Sequence, residues 1–111
     1  MTDWTVEQIF EKMPTAFCPE RANGIAGAVQ FLIGGDGGGE WVVEIAHGKC
    51  RVTSGRIPSP QVTVSADANL LPDVLSGRQN GMMAFMQGKL RIQGDMGLAQ
   101  KLLRLFDLKN V

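Results

Sequence analysis

The residues of this chain that could do chemistry are few and poorly spaced for it. Cys18, Cys50 and the single histidine, His47, could supply three zinc ligands, but their spacing matches no zinc signature and no CxxC is present. A Cys50–His47 nucleophile pair is equally weak, because the two lie three positions apart across a turn. His47 reads instead as a turn residue near a sheet edge. The acid pair Asp36 and Glu40 falls in a glycine-rich loop, where both carboxylates are expected to be solvated, and no serine stands in a GxSxG setting. The run GGDGGG, residues 34–39, has the composition of a phosphate loop. Such a loop needs a following helix and usually a nearby lysine, whereas here Glu40-Trp41 open a strand, so the run reads as a hairpin turn. No catalytic residue, metal or cofactor is expected, and a binding function is the default.

The stretch most suggestive of binding is residues 82–106, MMAFMQGKLRIQGDMGLAQKLLRLF. It sets four large apolar side chains in five positions (Met82, Met83, Phe85, Met86), contains no His, Cys, Ser or Thr, and has one acid, Asp95. Four of the six methionines of the chain fall between residues 82 and 96. Methionine adapts to irregular apolar partners, in a ligand pocket or in ordinary core gaps.

The bulk numbers narrow the class. A length of 111 residues points to one domain, residues 1–111, and 44% hydrophobic content fits a soluble globule. Lys+Arg and Asp+Glu are equal at 11 each, so the chain lacks the broad positive field of a nucleic-acid binder and has no strong general attraction to anionic membranes. At most a transient membrane contact is expected. Two cysteines are too few for a disulfide scaffold and suit free thiols in a reduced compartment. With no basic, apolar leader and no run of ~20 apolar residues, the expected location is cytoplasmic.

The elements that must position these residues follow from periodicity. Thr5 and Gln8 have capping-box spacing, and Val6, Ile9, Phe10 and Met13 recur at helical spacing until Pro14, predicting a helix over 5–13. Residues 24–33 alternate, with Ile25, Gly27, Val29, Phe31 and Ile33 on one side and Gln30 on the other; Trp41, Val43 and Ile45 then oppose Glu44. These two strands form a hairpin about the glycine run. A third strand follows over Lys49–Ser54 and a fourth over 61–66. Asp67 is the expected N-cap of a helix through Leu70, Leu71, Val74 and Leu75 that Gly77 closes, with Pro72 in its early turns. Asn80 is the expected cap of a short methionine helix, 81–87, ended by Gly88. A fifth strand turns Leu90 and Ile92 inward. The last helix starts at Asp95 or Gly97 and carries the stripe Leu98, Leu102, Leu105, Phe106. This order gives an α+β fold with helices covering one face of a mainly antiparallel sheet.

Phe85-Met86-Gln87-Gly88-Lys89-Leu90-Arg91-Ile92-Gln93-Gly94-Asp95, followed by Leu98-Ala99-Gln100-Lys101-Leu102, resembles the C-terminal signature of the sterol carrier protein 2 family, F-x-x-G-K-L-x-I-x-G-D and then a Leu/Ala-rich helix. Val6 through Pro14 is similar to that family's first helix, so the resemblance covers nearly the whole chain. It implies a five-stranded sheet covered by helices, with an apolar tunnel between them that carries fatty acid, fatty acyl-CoA or sterol-like lipids non-covalently. Two departures stand out: the chain ends Lys109-Asn110-Val111 rather than in a peroxisomal Ser/Ala-Lys-Leu address, and Asn80 is followed by Gly81 where the family often has proline.

The candidate tunnel wall combines inward strand positions with the facing helices: Phe31, Trp41, Val43, Met82, Phe85, Met86, Ile92, Leu98, Leu102, Leu105 and Phe106. Each would serve equally in a plain core. Lys89 or Arg91 could meet an acidic head group, though solvated surface positions suit both better. The expected partner is a lipid or fatty acyl ligand, with no nucleic acid, and the expected state is a monomer or weak homodimer. A different class of reading uses the same apolar groove to dock a partner helix or a second copy, without lipid transfer. A third, a small enzyme, would need Glu40 or Asp95 in a perturbed environment.

Overall fold

A computed structural model describes residues 5–22, 24–76, 81–102 and 105. The first helix, α1 (Val6–Ala16), opens on the anticipated capping box: the Gln8 N–H donates to Thr5 Oγ1 (3.2 Å) and the Thr5 N–H to Gln8 Oε1 (3.0 Å). Pro14 does not end α1 but lies inside it. Proline removes one amide donor, and burial of Met13 and Ala16 on the same stripe as Val6, Ile9 and Phe10 holds the last turn in place.

A short 3-10 turn, Pro19–Arg21, leads into three antiparallel strands: β1 (Gly27–Gly34), β2 (Gly39–Ala46) and β3 (Lys49–Ser54). The glycine run is the β1–β2 turn and His47-Gly48 the β2–β3 turn, both as the alternation implied. Strand β4 (Val62–Asp67) then pairs with β1 in parallel, and β5 (Leu90–Gly94) pairs antiparallel with β4. The sheet order is β3-β2-β1-β4-β5, an α+β fold on a five-stranded sheet with one parallel pairing at its centre.

Helix α2 (Leu71–Ser76) starts later than the Asp67 cap implied. Asp67 closes β4 instead. Its Oδ1 accepts from the Asn69 N–H (2.8 Å) and its carbonyl from Leu70 (3.0 Å), a side-chain turn that competes with helix initiation. Helix α3 (Gly81–Met86) ends as expected at Gly88, where the Lys89 N–H donates to the Ala84 carbonyl (2.9 Å) and the Gly88 N–H to Phe85 (3.1 Å). The expected ends at Gly77 and Asn80 lie outside the described residues. Helix α4 (Met96–Leu102) is capped by Asp95, whose Oδ1 accepts from the Leu98 N–H (3.1 Å).

All the helices pack on one face. Helix α1 lies over β3 and against α2, α3 over β5, and α4 over β4 and β5. Two glycines set these distances. A Cβ at Gly27 would stand 2.7 Å from Leu98 Cδ2, so β1 has no side chain where α4 lands. A Cβ at Gly94, whose φ is +109°, would stand 2.2 Å from the Gln61 carbonyl oxygen. That same oxygen accepts from the Asp95 N–H at 2.9 Å. Among the described residues no helix is long and apolar enough to cross a membrane.

Candidate functional site

The ladder registers turn the alternating strands into rows. Trp41, Phe31, Val64 and Ile92 are successive cross-strand neighbours on β2, β1, β4 and β5, facing the helices. Beside them runs Val52, Val43, Val29 and Val62, and beyond them Ile33, Ala66 and Leu90. Over the first row lies Phe10 of α1. Its ring stacks on Trp41 (centroids 4.5 Å apart, planes 10° apart) and meets Phe31 edge-on (5.1 Å, 66°). Leu71, Val74, Ala84, Leu98, Ala99 and Leu105 close the same cluster from the helix side, with Phe85 half-buried against it. The Leu105 carbonyl accepts from the Cys18 N–H (2.7 Å), which ties the end of the described chain to the segment after α1.

The structure therefore gathers Phe31, Trp41, Val43, Phe85, Ile92, Leu98 and Leu105 into one apolar layer. Met86 does not join them: it is 78% exposed. On a six-residue helix whose Ala84 is fully buried, a residue two positions on is turned by about 200° and faces out. The side chains of Met82 and Leu102, and the whole of Phe106, lie outside the described residues. Helical spacing places Phe10 on the α1 stripe but not over Trp41, because no local spacing relates a helix position to the strand it will cover.

The opposite face of the sheet is polar. Glu40, Leu32, Ser65 and Arg91 form its corresponding row, and with Arg56, Asp67 and Lys89 they line an open cleft of about 530 Å3. Arg56 pairs with Glu40, both largely exposed, so the cleft neutralises much of its own charge. Gln30, only 3% exposed, fixes one wall: its amide nitrogen donates to the carbonyls of Gly55 (2.9 Å) and Trp41 (3.1 Å), and its Oε1 accepts from the Ile57 N–H (3.0 Å). Alternation put Gln30 on this face correctly, but nothing in its neighbours signalled that it clamps a loop.

Among the described residues no three His, Cys, Asp or Glu side chains come together as a metal site. Cys18 and Cys50 are free thiols. Cys50 is partly buried on the helix-facing side of β3, and that burial pushes its thiol up from 9.0 to about 11. A thiol held protonated is a poor nucleophile. In a Cys18→Ser background, iodoacetamide at pH 8 should modify Cys50 about a hundredfold more slowly than an ordinary thiol, with the rate rising to a midpoint near pH 11. A free-thiol rate at pH 8 would show that the strand edge is open. The folded state holds this proton more tightly than the unfolded chain, so the contribution is constant at lower pH and is lost between pH 9 and 11.

Known proteins are similar to this chain in sequence and in fold. The model of the SCP-2 sterol transfer family matches residues 6–107. "Hydroxysteroid dehydrogenase-like protein 2" of Xenopus tropicalis is 34% identical over 107 residues, covering 95% of this chain and 25% of that protein. Sterol carrier protein 2 of Rattus norvegicus is 42% identical over 82 residues, 70% of this chain and 15% of that protein. The solution structure of palmitated SCP2L2 from Aedes aegypti superposes with a TM-score of 0.69 at 30% identity, covering 91% of this chain and 93% of that one. The chain thus spans about a quarter of the length of the Xenopus relative and nearly all of the Aedes protein.

Proposed function

The chain belongs to the SCP-2 sterol transfer family, and on that premise we propose that it is a non-catalytic lipid carrier. It takes a fatty acid, fatty acyl-CoA or sterol-like molecule non-covalently into an apolar tunnel between the sheet and its covering helices, and passes it on. The observation that carries this reading is the row Trp41–Phe31–Val64–Ile92, an unbroken apolar floor across four strands with helices on its open side only. The Aedes protein was solved in palmitated form, which supports an acyl chain as cargo. The wall we assign is Phe31, Trp41, Val43, Phe85, Ile92, Leu98 and Leu105. Free thiols suit a reducing compartment such as the cytoplasm, and a monomer or weak homodimer suffices for the task. What the longer relatives do as whole proteins is a separate matter from the part matched here.

The physics needs no reactive group. Each methylene removed from water contributes about 0.8 kcal/mol, so ~12 of them give about 10 kcal/mol gross. Association and ordering take back much of that, which leaves binding that is useful and reversible. Native mass spectrometry after mild purification, then titration with palmitate and palmitoyl-CoA, tests the reading. Bound lipid should appear, and ligand at a hundred times its Kd should add about 2.7 kcal/mol, a Tm rise of roughly 10 °C. Absence of copurifying lipid, together with no binding and no Tm change, would overturn it.

A further inference from the structure

The helices and the apolar layer occupy one face of the sheet, and the cleft on the other face is left without a task. Three parts of the chain wall it. The crossover from β3 to β4 lies on that face, held from below by Gln30, whose amide nitrogen donates to the Gly55 carbonyl and whose Oε1 accepts from the Ile57 N–H. The Gly55 N–H donates in turn to the Glu40 carbonyl (2.9 Å). The glycine hairpin closes one end, and β5 with the residue before it forms the far side. Leu32 and Ser65, neighbours in the β1–β4 ladder, make the floor. Backbone bonds and one buried side chain set these walls, so the cleft exists before a ligand arrives. Its volume of about 530 Å3 falls inside the ~300–1,000 Å3 of small-molecule sites.

Charge in the cleft is divided. Arg56 and Glu40 satisfy each other on the β2 side. Across the floor, Arg91 stands beside Ser65 in the β4–β5 ladder, and Lys89, one step beyond the Ala66–Leu90 pair, comes level with Asp67. Among the described residues neither Lys89 nor Arg91 belongs to an ion pair. A guanidinium fork beside a point charge is a good receiver for a phosphate dianion. Asp67 is the complementary group. Its Oδ1 is held by the Asn69 N–H (2.8 Å), and its Oδ2 lies against Gly35, where a Cβ would stand 2.8 Å away. A carboxylate fixed in this way accepts from ligand hydroxyls and repels a bare anion.

One ligand chemistry uses all of these groups together. A sugar phosphate sets its phosphate on Lys89 and Arg91, its hydroxyls on Asp67 and Ser65, and the C–H face of its ring on Leu32. Among the described residues no aromatic side chain lines the cleft, so a nucleobase would find no ring to stack on. We propose that this cleft binds a soluble sugar phosphate, at a site separate from the apolar layer. The carrier reading is not needed for it.

The test titrates glucose 6-phosphate, glucose and inorganic phosphate into the isotope-labelled whole chain and follows the backbone amides by NMR. Glucose 6-phosphate should shift Gly35, Ser65, Asp67 and Arg91 and leave Val43 and Leu98 in place. It should bind at least about tenfold more tightly than glucose or inorganic phosphate alone, because it engages both halves of the cleft. Lys89→Gln/Arg91→Gln should weaken it by about tenfold or more. Asp67→Asn, the same shape without the charge, should abolish the preference for glucose 6-phosphate over inorganic phosphate. These three side chains are exposed, so both variants should keep the parent fold and melting temperature. Equal affinity of the parent for inorganic phosphate and glucose 6-phosphate would reduce the cleft to an unspecific anion patch and overturn the proposal. So would unshifted cleft amides at about 10 mM glucose 6-phosphate, or its release by vesicles of phosphatidylglycerol, which would give the cations to a bilayer. A chain that binds glucose 6-phosphate but no palmitate loses the carrier reading and keeps this one.

Discussion

Gly94→Ala is expected to destabilise the fold by about 3 kcal/mol or more, a Tm loss on the order of 12 °C. Two penalties act together. The φ of +109° is strained for any residue with a side chain, and the new Cβ would lie 2.2 Å from the Gln61 carbonyl oxygen. That oxygen cannot retreat freely, because it accepts from Asp95, and Asp95 caps α4 through the Leu98 N–H. The added methyl therefore pushes on the start of the helix that closes the apolar layer. Lipid affinity should fall along with stability. Gly34→Ala is the control: no heavy atom lies within 4 Å of its Cβ position and its φ is not positive, so its effect should stay within about 0.5 kcal/mol. Urea unfolding of the two variants decides the matter. Equal behaviour would mean that the Gln61–Gly94 approach is loose.

The second large effect is expected at Phe10. Phe10→Ala removes a ring that is 2% exposed and touches both Trp41 and Phe31, which should lower stability by about 3–5 kcal/mol. That is a large share of the ~5–15 kcal/mol that a domain usually has. Phe10→Leu, which refills most of the volume, should lower it by only about 1.5 kcal/mol or less. Chemical denaturation gives both values. In a Trp4→Phe background, near-UV circular dichroism reports on Trp41 alone and should lose its signal in Phe10→Ala while far-UV helix content remains. An unchanged Trp41 signal would show that the stack does not order the indole.

How much of the fold and site is readable from the residues alone depends on range. The hairpin strands, the Thr5–Gln8 box, the Gly88 end of α3 and the Asp95 cap are local features, each decided within a few residues, and they appear where alternation and capping rules put them. The terminators mislead where burial competes: Pro14 stays inside α1 because Met13 and Ala16 are packed, and Asp67 spends its carboxylate on Asn69 rather than on a helix. Non-local choices are hidden. Nothing in VTVSA says that β4 enters beside β1 in parallel, and nothing in MMAFM says which methionines face in, since with Ala84 all five residues are apolar and together they reach every side of a helix. The inward strand residues Phe31, Trp41, Val43 and Ile92 are legible because a period of two leaves only two choices.

The parallel pairing of β1 with β4 has a kinetic meaning. The first three strands follow one another through short turns and can zip in sequence, and so can β4 with β5 once α3 is in place. Joining the two groups needs Val29 to find Val62 across the whole β2–β3 hairpin and the loop behind it, so a long loop must close before any contact rewards it. The seam between the early and late halves of the chain therefore runs between Phe31 and Val64, down the middle of the apolar floor. A lipid lying across that floor, as proposed, would span the pairing of longest sequence separation in the sheet. On the proposed carrier reading, bound lipid would bridge the two groups of strands, so lipid should slow unfolding of the chain.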